Sequence, residues 1–160
     1  MTTRSVTHGQ FSIEREYDAA PERVWAAFAN EDAKNEWFGA GDTEFLAHTS
    51  HYSLDFRVGG VELLEGTTPR GSDFVYRATF GDIVENERIV ATYECLVNGK
   101  RISVSIDTVT LVQTDKGTKL TETEQGVFLD GYDSNEDRIE GAEHSIDMLD
   151  RYIAAQKAAI

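Results

Sequence analysis

The feature that most constrains the fold is a long stretch of strand-like sequence followed by one amphipathic helix. From residue 43 to residue 128 the chain reads almost entirely as β-strand, with short connections. Short turns between successive strands are typical of an antiparallel meander. Residues 135–159 instead carry apolar side chains at spacings of three and four, the repeat of a helix that buries one face. We therefore predict an α+β fold, in which a curved antiparallel sheet is covered by a long C-terminal helix.

Turn residues divide the predicted sheet into successive strands. The first strand runs from Gln10 to Tyr17, where apolar and polar side chains alternate. Six more are predicted, at residues 43–49, 53–64, 73–85, 88–96, 101–114 and 118–128. Asn98-Gly99 predicts a hairpin, because a type I′ turn requires positive φ at both central residues. The pair Gly59-Gly60 falls inside a predicted strand, where it indicates a bulge or a sharp bend.

Two short helices are expected between the first strand and the rest of the sheet. Pro21 suits the first helical turn, and Asp18 is a candidate cap for it. The first helix is predicted to end near residue 30, and the second to cover 31–36 before a glycine-containing segment, 37–41. In the C-terminal helix, acidic side chains occupy much of the face opposite the apolar stripe. We interpret that acidic face as solvated, with a protein partner as the alternative.

Length and composition indicate one globular domain. The chain has 160 residues, 40% of them hydrophobic, and a chain of this size needs no disulfide or metal to fold. Residues 1–9 are predicted to be a flexible N-terminus and residues 10–160 a single domain. Cys95 is the only cysteine, which excludes an intrachain disulfide and suits a reducing compartment. We expect Cys95 to be a buried, unreactive thiol.

Charge and hydropathy exclude several classes of protein. The net charge of -14 would repel nucleic acid and anionic membranes, and lysine and arginine form no cluster. No apolar run has the length of a membrane span, and the N-terminus lacks the apolar region of a secretory signal. We expect a cytoplasmic protein that binds neither nucleic acid nor a membrane.

Three motifs carry a resemblance to a known family. They are Ala20-Pro-Glu-Arg-Val-Trp25, with Trp37-Phe38 following at the expected distance, Asp55-Phe-Arg-Val-Gly-Gly60, and Gly117-Thr-Lys-Leu-Thr121. In this order, they resemble the START-like (SRPBCC) superfamily and, within it, the AHSA1-type domain named after the activator of Hsp90 ATPase. The resemblance covers about residues 11–153. It implies a helix-grip fold that wraps a curved sheet around the C-terminal helix.

The resemblance leaves the function open. The superfamily includes small-ligand binders, polyketide aromatases and cyclases, lipid carriers and an Hsp90 co-chaperone domain, and many single-domain members have no assigned activity. The chain departs from the family in one respect. Where the last helix of members often begins with Gly-Trp, Gly141 is followed here by Ala142. The missing indole would enlarge a cavity under the helix, unless another side chain fills the space.

Aromatic side chains are the main candidates for the wall of such a cavity. Phe74, Tyr76, Ala78 and Phe80 share one face of the strand 73–85, and such a run forms either core or pocket wall. Tyr93 on the neighbouring strand is a candidate to place its hydroxyl inside the cavity. Trp37 and Phe38 precede a glycine at the expected mouth, where they either pack in the core or contact a ligand. The residues that we predict at a ligand are Trp37, Phe38, Phe56, Phe74, Tyr76, Tyr93, Glu122, Glu124, Ala142 and His144.

Polar candidates are few. Glu122 and Glu124 share a strand face with Leu120, so an inward Leu120 would turn both carboxyl groups toward the cavity. A buried carboxyl group has a raised pKa and can act as a general acid or base. The alternative is a solvated or salt-bridged pair. His144 borders the apolar stripe of the last helix, where it either lines the cavity or is exposed.

No metal or cofactor site is predicted. His48 and His51 are three residues apart in a strand-like region, and no cysteine or histidine cluster accompanies them. The chain has no phosphate-binding loop, nucleophile elbow or dinucleotide fingerprint. Asp55 and Arg57 are predicted to form a polar pair on the outer face of a strand, where they support the bend or, alternatively, bind a carboxylate.

Three functions therefore compete. The first is binding of a small hydrophobic or aromatic molecule between the sheet and the C-terminal helix. The second is an enzyme of polyketide cyclase, dehydratase or hydrolase type that uses Glu, His and Tyr side chains of the cavity. The third is a protein-interaction module, either co-chaperone-like or a homodimer that works through its acidic face.

Overall fold

Seven antiparallel strands form one curved sheet in the computed structural model, which describes residues 3–40 and 44–158. The strands are β1 (Val6–Tyr17), β2 (His48–Leu54), β3 (Val61–Thr67), β4 (Asp73–Val84), β5 (Arg88–Val97), β6 (Lys100–Thr114) and β7 (Gly117–Leu129). Their spatial order is β1-β7-β6-β5-β4-β3-β2, so the first strand pairs with the last and the others form a meander. Gly41, Thr43 and Ala159, which the sequence assigns to a glycine segment, a strand start and a helix end, lie outside the described residues.

One long helix packs on this sheet. The helices are α1 (Pro21–Ala29), α2 (Glu31–Lys34) and α3 (Asn135–Ala158), and α2 continues into a π-helical turn, Asn35–Gly39. Ser134 caps α3, because its hydroxyl accepts a hydrogen bond from the backbone N–H of Asp137 at 3.1 Å. Four residues of the predicted apolar stripe of α3, Ala142, Ile146, Leu149 and Ile153, are buried in the core, whereas Ile139 at its start is half-buried. None of the helices in the described part of the chain is both long enough and apolar enough to cross a membrane.

The strands near residue 60 differ from the predicted ones. The sequence analysis places separate strands over 43–49 and 53–64. In the structure residues 44–47 are not a strand, β2 begins at His48 and runs through the predicted break, and a turn, residues 55–60, separates β2 from β3. Gly59 adopts a φ of 83° there, and its N–H donates to the carbonyl of Phe80 at 2.8 Å. The glycine pair therefore forms the connection between two strands and not a bulge within one. Asp55 and Arg57 form an exposed ion pair at 2.9 Å in this turn.

Two predictions about the N-terminal region were wrong. β1 begins at Val6, which lies opposite Leu129, so residues 6–9 belong to the sheet instead of a flexible tail. They pair there because β7 extends far enough to provide a partner. The N-cap of α1 is Ala20, without a side-chain hydrogen bond, and Asp18 pairs instead with Lys157 near the end of α3.

The acidic face of α3 is more than a solvated surface. Arg15 of β1 lies 3.1 Å from Asp147 and 3.2 Å from Asp150, and the hydroxyl of Tyr17 donates to Asp150 at 2.7 Å. These contacts tie the middle of the helix to the first strand. The exposed carboxylates nearer its start, such as Glu140 and Glu143, face solvent as predicted.

Candidate ligand-binding cavity

A cavity of about 440 Å³ lies between the inner face of the sheet and α3. β4 and β5 contribute aromatic side chains to its wall, and the π-helical turn contributes two more. The ring of Phe38 lies 5.1 Å from that of Tyr76, which in turn lies 4.9 Å from that of Tyr93. The volume falls within the range of about 300–1,000 Å³ that is usual for small-molecule sites.

The structure brings together all but one of the predicted ligand-binding residues. Those on the wall are Trp37, Phe38, Phe74, Tyr76, Tyr93, Glu122, Glu124, Ala142 and His144. Phe56 is not among them, because residues 55–60 form a turn and not a strand. Its ring packs edge-on against Trp25 at 5.6 Å and Phe80 at 5.2 Å. Ligand contact by the residues on the wall stays a prediction.

Three carboxyl groups meet on the sheet side of the cavity. Leu120 of β7 is fully buried, so Glu122 and Glu124, two and four residues later, face inward. The strand register places Asp107 of β6 directly opposite Glu124. Carboxyl oxygens of the three residues lie within 4.8 Å of one another. Because like charges this close repel, the cluster favours retention of protons.

Burial changes the pKa of each carboxyl group in this cluster. It raises the pKa of Glu122 to about 7, and the neighbouring charge of Glu124 adds to the effect. Burial also raises the pKa of Glu124 to about 7, although the hydrogen bond from Tyr93 opposes it. The pKa of Asp107 is raised well above its usual value, first by burial and then by Glu122. Near neutral pH the cluster therefore holds exchangeable protons.

Arg138 connects α3 to the carboxyl cluster through Tyr93. Its guanidinium donates to the hydroxyl oxygen of Tyr93 at 2.7 Å, to Ser103 at 2.7 Å and to Asp133 at 2.6 Å. The hydroxyl of Tyr93 in turn donates to Glu124. This chain of hydrogen bonds fixes the orientation of Glu124, and Asp133 compensates the charge of the arginine.

A second buried ion pair joins α2 to β3. The ammonium of Lys34 lies 3.1 Å from one carboxylate oxygen of Glu62, and the hydroxyl of Tyr52 donates to the other oxygen at 2.6 Å. The same ammonium lies 5.1 Å from the ring centroid of Phe38 and 5.6 Å from that of Trp37. Lys34 thus reaches the cavity wall with its charge already compensated.

Sequence reasoning missed Asp107, although β6 contains a signal for it. Ser103 and Ser105 of that strand are buried, whereas Val104 and Ile106 are each 41% exposed. A strand with one solvated face normally turns its apolar side chains inward. In this part of β6 the polar side chains point inward and the apolar ones outward. The inner face is therefore polar here, and Asp107 follows Ser103 and Ser105 on that face.

The carboxyl cluster also has a composition that metal ions accept. Carboxylate oxygens suit hard divalent cations, a class of site that an analysis of histidine and cysteine spacing does not test. Binding of such a cation requires the carboxyl groups to lose their protons. The raised pKa values of Asp107, Glu122 and Glu124 oppose that loss.

The raised pKa values lead to a prediction about stability. Glu122 binds its proton more tightly in the folded state, so its contribution to stability is present at low pH and is lost as pH rises from about 4.5 to about 7. Glu122→Gln should remove this loss. The free energy of unfolding of the variant, measured relative to that of wild type, should therefore increase by on the order of 2 kcal/mol as the pH rises from 5 to 8. Urea unfolding at several pH values measures the difference, and parallel profiles for the two proteins would contradict it.

A curved antiparallel sheet that grips a C-terminal helix around an internal cavity defines a domain of the helix-grip class. The profile of the family described as "Activator of Hsp90 ATPase homolog 1-like protein" matches residues 18–154. The chain therefore belongs to this AHSA1 family, which confirms the resemblance carried by the sequence motifs.

Solved structures agree with this assignment. An uncharacterised protein from Rhizobium leguminosarum is 38% identical with a TM-score of 0.90, and the alignment covers 96% of this chain and 99% of that one. The protein Mll3558 from Rhizobium loti is also 38% identical, with a TM-score of 0.84 and coverage of 92% and 99%. An AHSA1-like protein from Aeromonas hydrophila shares the fold at 21% identity and a TM-score of 0.69, over 93% of this chain and 94% of that one. No protein with a curated description matches the chain.

Proposed function

We propose that this AHSA1-type domain binds one small hydrophobic or aromatic molecule in the cavity between the sheet and α3. The main observation behind the proposal is a partly open cavity of about 440 Å³, with aromatic rings along its wall. A concave, mostly apolar space of this size is typical of sites that bind small molecules. Aromatic rings provide apolar contact area with little conformational freedom to lose on binding.

The short side chain at residue 142 supports the proposal. Ala142 lies on the cavity wall and is 7% exposed, at the position where related domains often carry tryptophan. An indole here would project from α3 toward the aromatic side chains of the sheet. With alanine in its place, the described side chains leave room for a ligand of comparable size.

Binding of an uncharged fluorescent dye tests the proposal. N-phenylnaphthylamine should bind saturably, with one dye for each chain and increased dye emission in the apolar cavity. Trp37 lies on the wall, so its emission should fall as the dye binds. If the folded protein leaves the dye emission unchanged and small aromatic compounds do not raise its melting temperature, the proposal is wrong.

A second candidate function is acid–base catalysis on the bound molecule. The observation that favours it is that Glu122 and Glu124 both lie on the cavity wall, where burial raises the pKa of each to about 7. Proton transfer is most efficient when the pKa of the catalytic group lies near the working pH. A cyclase, dehydratase or hydrolase would use such a carboxyl group, with Tyr93 orienting Glu124.

Substitution of Glu124 separates the two functions. Glu124→Gln keeps the size of the side chain but cannot exchange a proton. Mass spectrometry of a compound incubated with each protein would then show conversion by wild type and only binding by the variant if the domain is an enzyme. A binder returns the compound unchanged in both cases.

A further inference from the structure

The polar part of the cavity is strongly asymmetric in charge. Seven charged side chains lie on its wall, and the carboxylates outnumber the two cations, Lys34 and Arg138. Each cation is already paired, Lys34 with Glu62 at 3.1 Å and Arg138 with Asp133 at 2.6 Å. Among residues 3–40 and 44–158, no ion pair joins a lysine or arginine to Asp107, Glu122 or Glu124. Within that region the charges of Lys34 and Arg138 act on the three carboxyl groups only over a longer distance.

One buried oxygen of this cluster depends on the protons that the cluster holds. Oδ1 of Asp107 has no partner among the N–H and hydroxyl groups of the described residues. While the cluster is protonated, Asp107 shares a hydrogen bond with the neighbouring carboxyl group of Glu122. Once the cluster loses its protons, a buried acceptor without a donor costs about 1–3 kcal/mol. A ligand that places an N–H group beside Asp107 would then recover this cost.

We propose that the molecule bound in the cavity is a small organic cation, an amine whose ammonium group lies beside Asp107, Glu122 and Glu124. Its apolar body would lie against the rings of Tyr76 and Tyr93. Aromatic faces attract ammonium groups as well as apolar surface, so the wall and the carboxyl cluster select the same kind of ligand. The inference rests on the proposed function and adds to it the charge of the ligand.

A carboxylate ligand is disfavoured by the same geometry. Above neutral pH, where the cluster has released protons, the charge of such a ligand would face ionised carboxyl groups. The guanidinium of Arg138 already donates to Tyr93, Ser103, Ser105 and Asp133. An uncharged ligand would leave the cluster as it is. A metal ion would satisfy the carboxyl groups but would leave the aromatic wall without a role.

Binding of an amine is coupled to the protons of the cluster. In the empty cavity the three carboxyl groups retain protons near neutral pH, and an ammonium favours their release. The affinity for an amine should therefore rise with pH, as long as the amine stays protonated. The titratable and charged groups that face the cluster come from several parts of the fold. They are Lys34 (α2), Glu62 (β3), Tyr76 (β4), Tyr93 and Cys95 (β5), Asp133 before α3, and Asp137, Arg138 and His144 on α3.

Three probes with one ring system and different charge test the inference. Naphthylethylamine is a cation, naphthylethanol is uncharged and naphthylacetate is an anion. By isothermal titration calorimetry near pH 8 we expect the amine to bind at least about tenfold more tightly than the alcohol, and the acetate most weakly. Between pH 6 and pH 8 the affinity for the amine should rise about tenfold, whereas that for the alcohol stays constant. Titrations in two buffers of different ionisation enthalpy should show proton release with the amine only.

A matched pair of variants locates the effect. Asp107→Asn should reduce the affinity for naphthylethylamine about tenfold and leave that for naphthylethanol unchanged. Asp115→Asn makes the same change of net charge at an exposed turn and should bind the amine like wild type. If Asp107→Asn does not fold, the pH dependence of amine binding by the wild-type protein still tests the inference.

The outcomes separate the inference from the proposed function. If the alcohol or the acetate binds as tightly as the amine, or if affinity for the amine does not rise with pH, the inference is overturned and ligand binding stands. If none of the probes binds, both are overturned. Displacement of the amine by equimolar Mg²⁺ or Zn²⁺ would also overturn the inference, because it would make the cluster a metal site.

Discussion

Ala142→Trp is expected to abolish binding of N-phenylnaphthylamine without unfolding the protein. Ala142 lies on the cavity wall, so an indole at this position would occupy the space proposed for the ligand. The surrounding space is large enough to accept the ring, and the free energy of unfolding should change by less than about 2 kcal/mol. Dye titration followed by fluorescence measures binding, and thermal unfolding shows that the fold is retained.

Ala155→Trp is the matched control for this experiment. Ala155 lies on the same helix but is exposed, so its replacement adds the same indole outside the cavity. The control should bind the dye with the affinity of wild type. Equal binding by Ala142→Trp and Ala155→Trp would mean that the dye binds elsewhere, and the cavity would lose its proposed role.

Lys34→Met is expected to destabilise the fold by about 3–5 kcal/mol, the usual cost of leaving a buried carboxylate without its partner. Glu62 is 1% exposed, and without Lys34 only the hydroxyl of Tyr52 would stabilise its charge. The methionine keeps most of the apolar volume of the side chain and removes its ammonium, including the cation–π contacts with Phe38 and Trp37. Urea unfolding at neutral pH measures the loss.

Two further variants show whether the loss arises from the buried charge. Adding Glu62→Gln to Lys34→Met removes both charges and should recover most of the stability. Arg57→Met breaks the exposed pair with Asp55 and should cost less than about 1 kcal/mol. If the double variant is no more stable than Lys34→Met, the cost comes from lost packing and the ion pair does not explain it.

Most of the fold follows from local patterns in the sequence. The alternation in the strands and the repeat of three and four in α3 determine which faces are buried, because each element has one apolar side. The prediction of strand boundaries failed where the side-chain pattern does not distinguish a strand from a turn. Residues 55–60 alternate like a strand, yet the chain turns there, and the turn depends on a hydrogen bond from Gly59 to Phe80 of β4.

The candidate site was harder to predict than the fold. Glu122 and Glu124 follow from alternation with Leu120, since strand neighbours on one face must share an environment. Asp107 and Arg138 do not, because their roles depend on the register of β6 with β7 and on the position of α3 above the sheet. Contacts between elements distant in sequence carry no local signal, apart from the inverted pattern of β6.

The most direct test of the central claim is NMR spectroscopy of the labelled protein with N-phenylnaphthylamine bound. Intermolecular nuclear Overhauser effects report which side chains lie next to the dye. We predict contacts with the rings of Tyr76 and Tyr93 and with the methyl group of Ala142, all on the cavity wall. Contacts confined to Val104 and Ile106, which are exposed on the outer face of the sheet, would contradict binding in the cavity.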